Sequence, residues 1–149
     1  MKPLAVSAVA LLVAACVESK PPATDRFKTN LGMKELMQFV IDPPADVFWG
    51  ASGTIITAQG EEDRSPTTDA GWDAAVSAAA TLAEAANLLM LPGRGLEERE
   101  WLAYSQQLAD ASLAGMKAAQ ARDKEAVFAT GEQVYFACRA CHQKYLFGQ

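Results

Sequence analysis

The chain has 149 residues, 50% of them hydrophobic, 8% aromatic and 21% charged, with a formal net charge of -5 and a single histidine. That length suits one domain with a substantial core and is short for two. The acidic balance argues against nucleic acid as a partner and against electrostatic attachment to anionic lipid, and one histidine excludes bis-histidine metal ligation within one chain.

Residues 1–15 read as a signal peptide: Lys2 is followed by an apolar stretch from Pro3 to Ala15. The stretch is too short to span roughly 30 Å of hydrocarbon as a helix. It ends in Val13-Ala14-Ala15-Cys16, which resembles the bacterial lipobox, where an apolar residue and two small ones precede a cysteine that is lipidated and becomes N-terminal. Cys16 is then a membrane anchor; the alternative is plain cleavage at a small-residue site. Either version exports the protein and leaves the domain one unit more negative once Lys2 is removed; the lipidated version holds it at the periplasmic face of a membrane. Residues 16–29 after that cleavage are polar, contain Pro21 and Pro22, show no periodicity and read as a flexible tether.

Residues 30–149 read as an all-α domain: alanine-rich, with proline and glycine at few places. Met33, Leu36, Met37 and Val40 lie at helical spacing on a first helix. Asp42-Pro43-Pro44 interrupts it, and because Asp caps helices and proline is tolerated in a first turn, a new or kinked segment is expected through Val47, Ala51, Ile55 and Ala58, ending at Gly60. The second helix carries Trp72, Ala75, Val76, Ala79, Leu82, Ala86, Leu89 and Met90, and Pro92, Gly93 and Gly95 stop it. A third presents Trp101, Tyr104, Leu108, Ala111, Gly115 and Ala118 as a seam. Asp123 caps a fourth, whose stripe is Val127, Gly131, Val134, Cys138, Cys141 and Tyr145. Short connections then predict an antiparallel up-down four-helix bundle. Trp72 and Trp101 fall in core stripes, whereas Trp49 fits either a cofactor contact or a cap on the bundle end.

Near the C-terminus stands Cys138-Arg139-Ala140-Cys141-His142. Structural zinc wants four nitrogen or sulfur ligands and finds three here. A thioredoxin-like dithiol opens a helix in a βαβ setting, whereas this pair sits late in a helix. Two ordinary helix cysteines beside a surface histidine are the plain alternative. Covalent haem accounts for all three residues: each thiol forms a thioether with a vinyl group and His142 supplies the proximal nitrogen. Positions i, i+3 and i+4 share one helix face, so all three side chains can meet one macrocycle, one haem c per chain.

These residues resemble the class II c-type cytochromes, the group of cytochrome c-prime and its low-spin relatives: exported four-helix bundles with C-x-x-C-H on the last helix. "MKELMQFVIDPPADVFWG", "NLLMLPGR" and "CRACHQKY" are similar to a proteobacterial subgroup of that class, here in lipoprotein form. The resemblance implies a distal group from the first helix, with Met37 at the axial position and Met33 as second choice; an apolar cover over five-coordinate iron is the other arrangement in the class. It also implies a cation near the haem propionates four residues before that ligand. Met33 stands there instead, which leaves Arg26, Lys28, Lys34 and Arg94 as candidates. Class II cytochromes are often dimers through their first two helices.

Two functions follow from this reading. With His142 and Met37 both on iron, the protein is an electron carrier and not an enzyme, serving a redox partner the sequence does not name. With the distal position open, it binds a small gas such as nitric oxide or carbon monoxide. A haem-free interaction module remains if the motif is accidental.

Overall fold

The computed structural model describes residues 27–96 and 99–148. The described chain is mainly helical, with four helices and one two-stranded hairpin. The first helix, α1 (residues 33–50), consists of an α turn at Met33–Leu36, a π-helical turn at Met37–Ile41 and an α segment at Asp42–Gly50. The interruption expected at Asp42-Pro43-Pro44 is therefore a widened turn within a continuous helix.

The expectation that the helical segment runs on to Gly60 is corrected. Helix α1 stops at Gly50, and β1 (Thr54–Thr57) pairs antiparallel with β2 (Gly60–Asp63) in the register Thr54↔Asp63 to Thr57↔Gly60. The reason is local: Thr54-Ile55-Ile56-Thr57 is an unbroken β-branched run, which favours extended backbone. Gly53 and Gly60 take φ of 89° and 131° at the entry and the turn, angles that side chains with a Cβ rarely adopt. Ile55 and Ile56 thus lie on an exposed hairpin and not in a core stripe. Val47, also expected on the stripe, is exposed, and its neighbours Ala45 and Phe48 are buried instead.

Helix α2 (Asp69–Leu89) is capped by Thr68, whose Oγ1 accepts from the Gly71 amide at 3.1 Å. Helix α3 (Arg99–Ala121) closes with Arg122 at φ 55°, the Arg122 amide bonded to the Ala119 carbonyl and the Asp123 amide to that of Ala118. This is the Schellman pattern, with arginine in the left-handed position that glycine usually fills. Asp123 then caps α4 (Lys124–Tyr145) by accepting from Ala126 at 2.9 Å. The turn between α3 and α4 is consequently tight, and the two helices pack along each other, as do α2 with α3 and α1 with α2; α1 also touches α4.

Two apolar clusters form the interior. One gathers Phe48, Trp72, Ala75, Ala79, Ala119 and Val127. The other gathers Leu36, Ile41, Leu82, Ala86, Trp101, Leu108 and Val134, with Met33, Met37, Cys138, Cys141 and Tyr145 half-buried against it. Trp72 and Trp101 are core residues, and the Trp101 indole N–H donates to the Leu89 carbonyl at 2.8 Å. No helix among the described residues is long and apolar enough to cross a membrane.

Candidate functional site

Helix α4 buries Val127, Gly131, Val134 and Ala137 along one stripe. Continued by one turn, that stripe brings Cys138, Cys141 and His142 to the end of the helix, all three half-buried. They line a cavity of about 300 Å³ together with Met37 and Ile41 of α1, Leu89 of α2 and Leu108 of α3. A second cavity of about 590 Å³ shares Met37, Asp42, Cys141 and His142 with the first and adds Met33, Trp101 and Tyr145. The walls are largely aliphatic and aromatic with a few polar groups, the usual make-up of a site for a flat organic cofactor. Met37 therefore borders both cavities and Met33 only the second.

The cysteines are free thiols. Burial, then the Asp42 carboxylate, then Cys141 push the Cys138 thiol up to about 11, and burial raises Cys141. Dithiol switches work through thiolates whose pKa is lowered by cations or a helix N-terminus. This pair has the opposite environment, which weighs against a thioredoxin-like role. Among the described residues no group of three or more His, Cys, Asp or Glu side chains is placed to hold a metal ion.

A haem group fits the residues present: two cysteines and a histidine on one face of α4, a thioether sulfur on the facing helix, and aliphatic walls between them. Of the cations considered for propionates, Lys34 lines the second cavity. Arg94 instead donates to the Leu31 carbonyl at 2.8 Å. Lys28 is exposed and lines neither cavity, and Arg26, Cys16 and the expected signal peptide lie outside the described residues.

Several lining residues were not foreseen. Asp42 reads in sequence only as a helix cap, yet it borders both cavities, and Tyr104, Ser105, Tyr135 and Arg139 border the first. Arg139 carried a signal, since it lies inside the C-x-x-C spacing; the others depend on how α1, α3 and α4 meet. Trp49 serves as both cavity wall and tie, its indole N–H donating to the Gly131 carbonyl at 2.9 Å. Tyr145 packs edge-on against Trp101 with ring centroids 5.2 Å apart. Compared with protein-family models, curated proteins and solved structures, the chain matches none.

Proposed function

We propose that this chain is an exported, lipid-anchored electron-transfer protein of the class II c-type cytochrome kind, folded as an antiparallel up-down four-helix bundle with one covalently attached haem. The observation that carries the reading is the convergence of Cys138, Cys141, His142 and Met37 on one largely apolar cavity. In this reading Cys138 and Cys141 form the thioethers, His142 is the proximal ligand and Met37 the distal one. Haem held this way supplies a one-electron iron couple, whose potential is raised by thioether ligation. Ile41, Leu89 and Leu108 supply aliphatic wall around the cavity, and Met37 would occupy the coordination position at which a substrate or gas could otherwise bind. The function is thus electron carriage to and from a protein partner, without catalysis.

Met37 is preferred to Met33 because it borders both cavities beside His142, whereas Met33 borders one. Cys16 anchors the mature chain in the membrane through lipid, and the class resemblance favours a homodimer. Phe39 and Val47, both exposed on α1, suit such a contact.

The test is a denaturing gel stained for haem, followed by the ferric spectrum. Colour retained on the polypeptide, a low-spin spectrum and no reaction with carbon monoxide are expected. Haem that separates from the chain overturns covalent attachment; a high-spin protein that takes up carbon monoxide overturns the carrier in favour of a gas-binding protein. The anchor has its own test: Cys16→Ser is expected to end fatty-acid labelling and leave an unprocessed precursor, and labelling that persists rejects the lipid site.

A further inference from the structure

Met37 reaches the site from a helix that changes register at that residue. The Asp42 amide donates to the Met37 carbonyl, one residue further back than an α-helix allows, and this bond closes the π turn at Met37–Ile41. The sequence supplies the cause. Pro43 and Pro44 have no N–H, and a proline ring collides with the carbonyl four residues before it, here those of Phe39 and Val40. Widening the turn relieves both contacts, and the prolines then occupy the first turn of the following α segment, where an N–H is not required.

The register change decides which side chains face inward. Leu36 and Ile41 are both buried, at 1% and 3% exposure, although they are five residues apart. On an uninterrupted α-helix that separation places them about 140° apart, one facing the core and the other away from it. The extra residue in the turn brings both to the same side. The C-terminal half of α1 is clamped by Ile41, Ala45 and Phe48, all buried. Were the turn to tighten to α, everything before it would rotate by roughly 100° against that clamp. Leu36 would leave the core, and Met37, now four residues before Ile41 on a regular helix, would turn from the cavity wall it shares with His142 into the place Leu36 vacates, which borders neither cavity.

We infer that Pro43 and Pro44 are positioning residues for Met37: by enforcing the π turn they aim its thioether into the cavity opposite His142. The functional meaning of this rests on the proposed ligand role of Met37, but the rotation is a property of the helix alone.

The experiment uses the full chain with three changes: Pro43→Ala with Pro44→Ala; the same pair with exposed Phe39 deleted; and Met37→Ala as control. The haem-independent readout is the rate of sulfoxide formation at Met37 in dilute peroxide, followed by peptide mass spectrometry; the second readout is the ferric spectrum of the loaded protein. In the double alanine variant Met37, then four residues before Ile41 on a regular helix, should oxidise about tenfold slower as it turns from the cavity wall into the buried place that Leu36 vacates, and the low-spin signature should be lost. Deleting Phe39 in that background returns Leu36 and Ile41 to a four-residue spacing on a regular helix. It should restore the oxidation rate to within about twofold of the parent and recover the spectrum. Parental behaviour in the double variant overturns the inference, as does failure of the deletion to restore it, including where the double variant itself folds poorly. If Met37→Ala leaves the spectrum unchanged while the oxidation rates follow the expected pattern, the positioning inference stands and the ligand reading falls.

Discussion

The two ends of the molecule are built from the same helices and solve different problems. At one end Phe48, Trp72, Ala75, Ala79 and Val127 cover one another almost completely. The Phe48 ring lies so close to α3 that a Cβ on Gly115 would fall 2.5 Å from it, so glycine is what admits the ring. At the other end α1 and α4 leave a cavity walled by two thiols, an imidazole and a thioether, none of them fully buried. The first end derives its stability from protein packed on protein. The second also has a buried cluster, around Leu36, Leu82, Trp101 and Leu108, but leaves part of its interior as a cavity whose wall holds these four groups.

That division is open to direct attack, and the largest effect should come from the closed end. Phe48→Ala removes a ring that is 1% exposed and should cost about 3 to 5 kcal/mol by denaturant unfolding, the usual range for an aromatic deleted from a core. The ferric spectrum should stay that of the parent. A changed spectrum with little loss of stability would mean that the two ends are coupled and that the comparison is mistaken.

The opposite pattern is expected at the cavity end, and it separates the two methionines. Met37→Ala should remove the weak charge-transfer band that a thioether gives ferric haem and should open the iron to carbon monoxide. Met33→Ala should leave both unchanged and cost about 1 to 2 kcal/mol, below the full core value because the side chain is half-buried. Band loss in Met33→Ala alone would move the distal ligand by one helical turn.

How far these regions were legible from the sequence depends on whether local pattern or three-dimensional meeting decides them. Helices α2, α3 and α4 follow from apolar periodicity: Asp123 caps α4 as expected and the seam through Trp101 and Leu108 is buried as its spacing predicts, whereas Thr68, which caps α2, was not singled out from the polar loop before it. The hairpin was missed because Val47, Ala51, Ile55 and Ala58 mimic a helical stripe. The competing signal, four consecutive β-branched residues after Gly53, was stronger in fact and was present in the sequence. The proline pair announced a break in α1 but not its form, since a kink, a new helix and a π turn all relieve the same clash. Along the cavity wall, Cys138, Cys141 and His142 lie together as their spacing predicts, whereas Met37 was expected beside them only from the class resemblance. Asp42, Leu89 and Tyr104 join them through the packing of α1, α2 and α3, which no local pattern encodes.

The smallest effect belongs to the seam between the hairpin and the closed end. Asp63, the last residue of β2, accepts from the Ser65 amide at 2.8 Å and is bridged by the Lys124 ammonium at 2.6 Å, which ties the hairpin base to the first residue of α4. The hydrogen bond from Lys124, followed by those from Ser65, holds the Asp63 carboxyl well below the usual carboxylate range, and the same pairing raises Lys124. A carboxylate lowered in the folded state stabilises it above the unfolded pKa, and that contribution is lost as pH falls through the folded value. A raised lysine stabilises below its unfolded pKa and loses its contribution as pH rises through the folded one. The difference in melting temperature between the parent and Asp63→Asn should therefore be flat from about pH 5 to about pH 9, between the ordinary carboxylate and ammonium pKa values. It should shrink below about pH 4 and again above about pH 10. Both partners are solvent-exposed, so the plateau should be small and should diminish in added salt. A difference that grows toward acid would reverse the sign and show that Asp63 destabilises the folded hairpin.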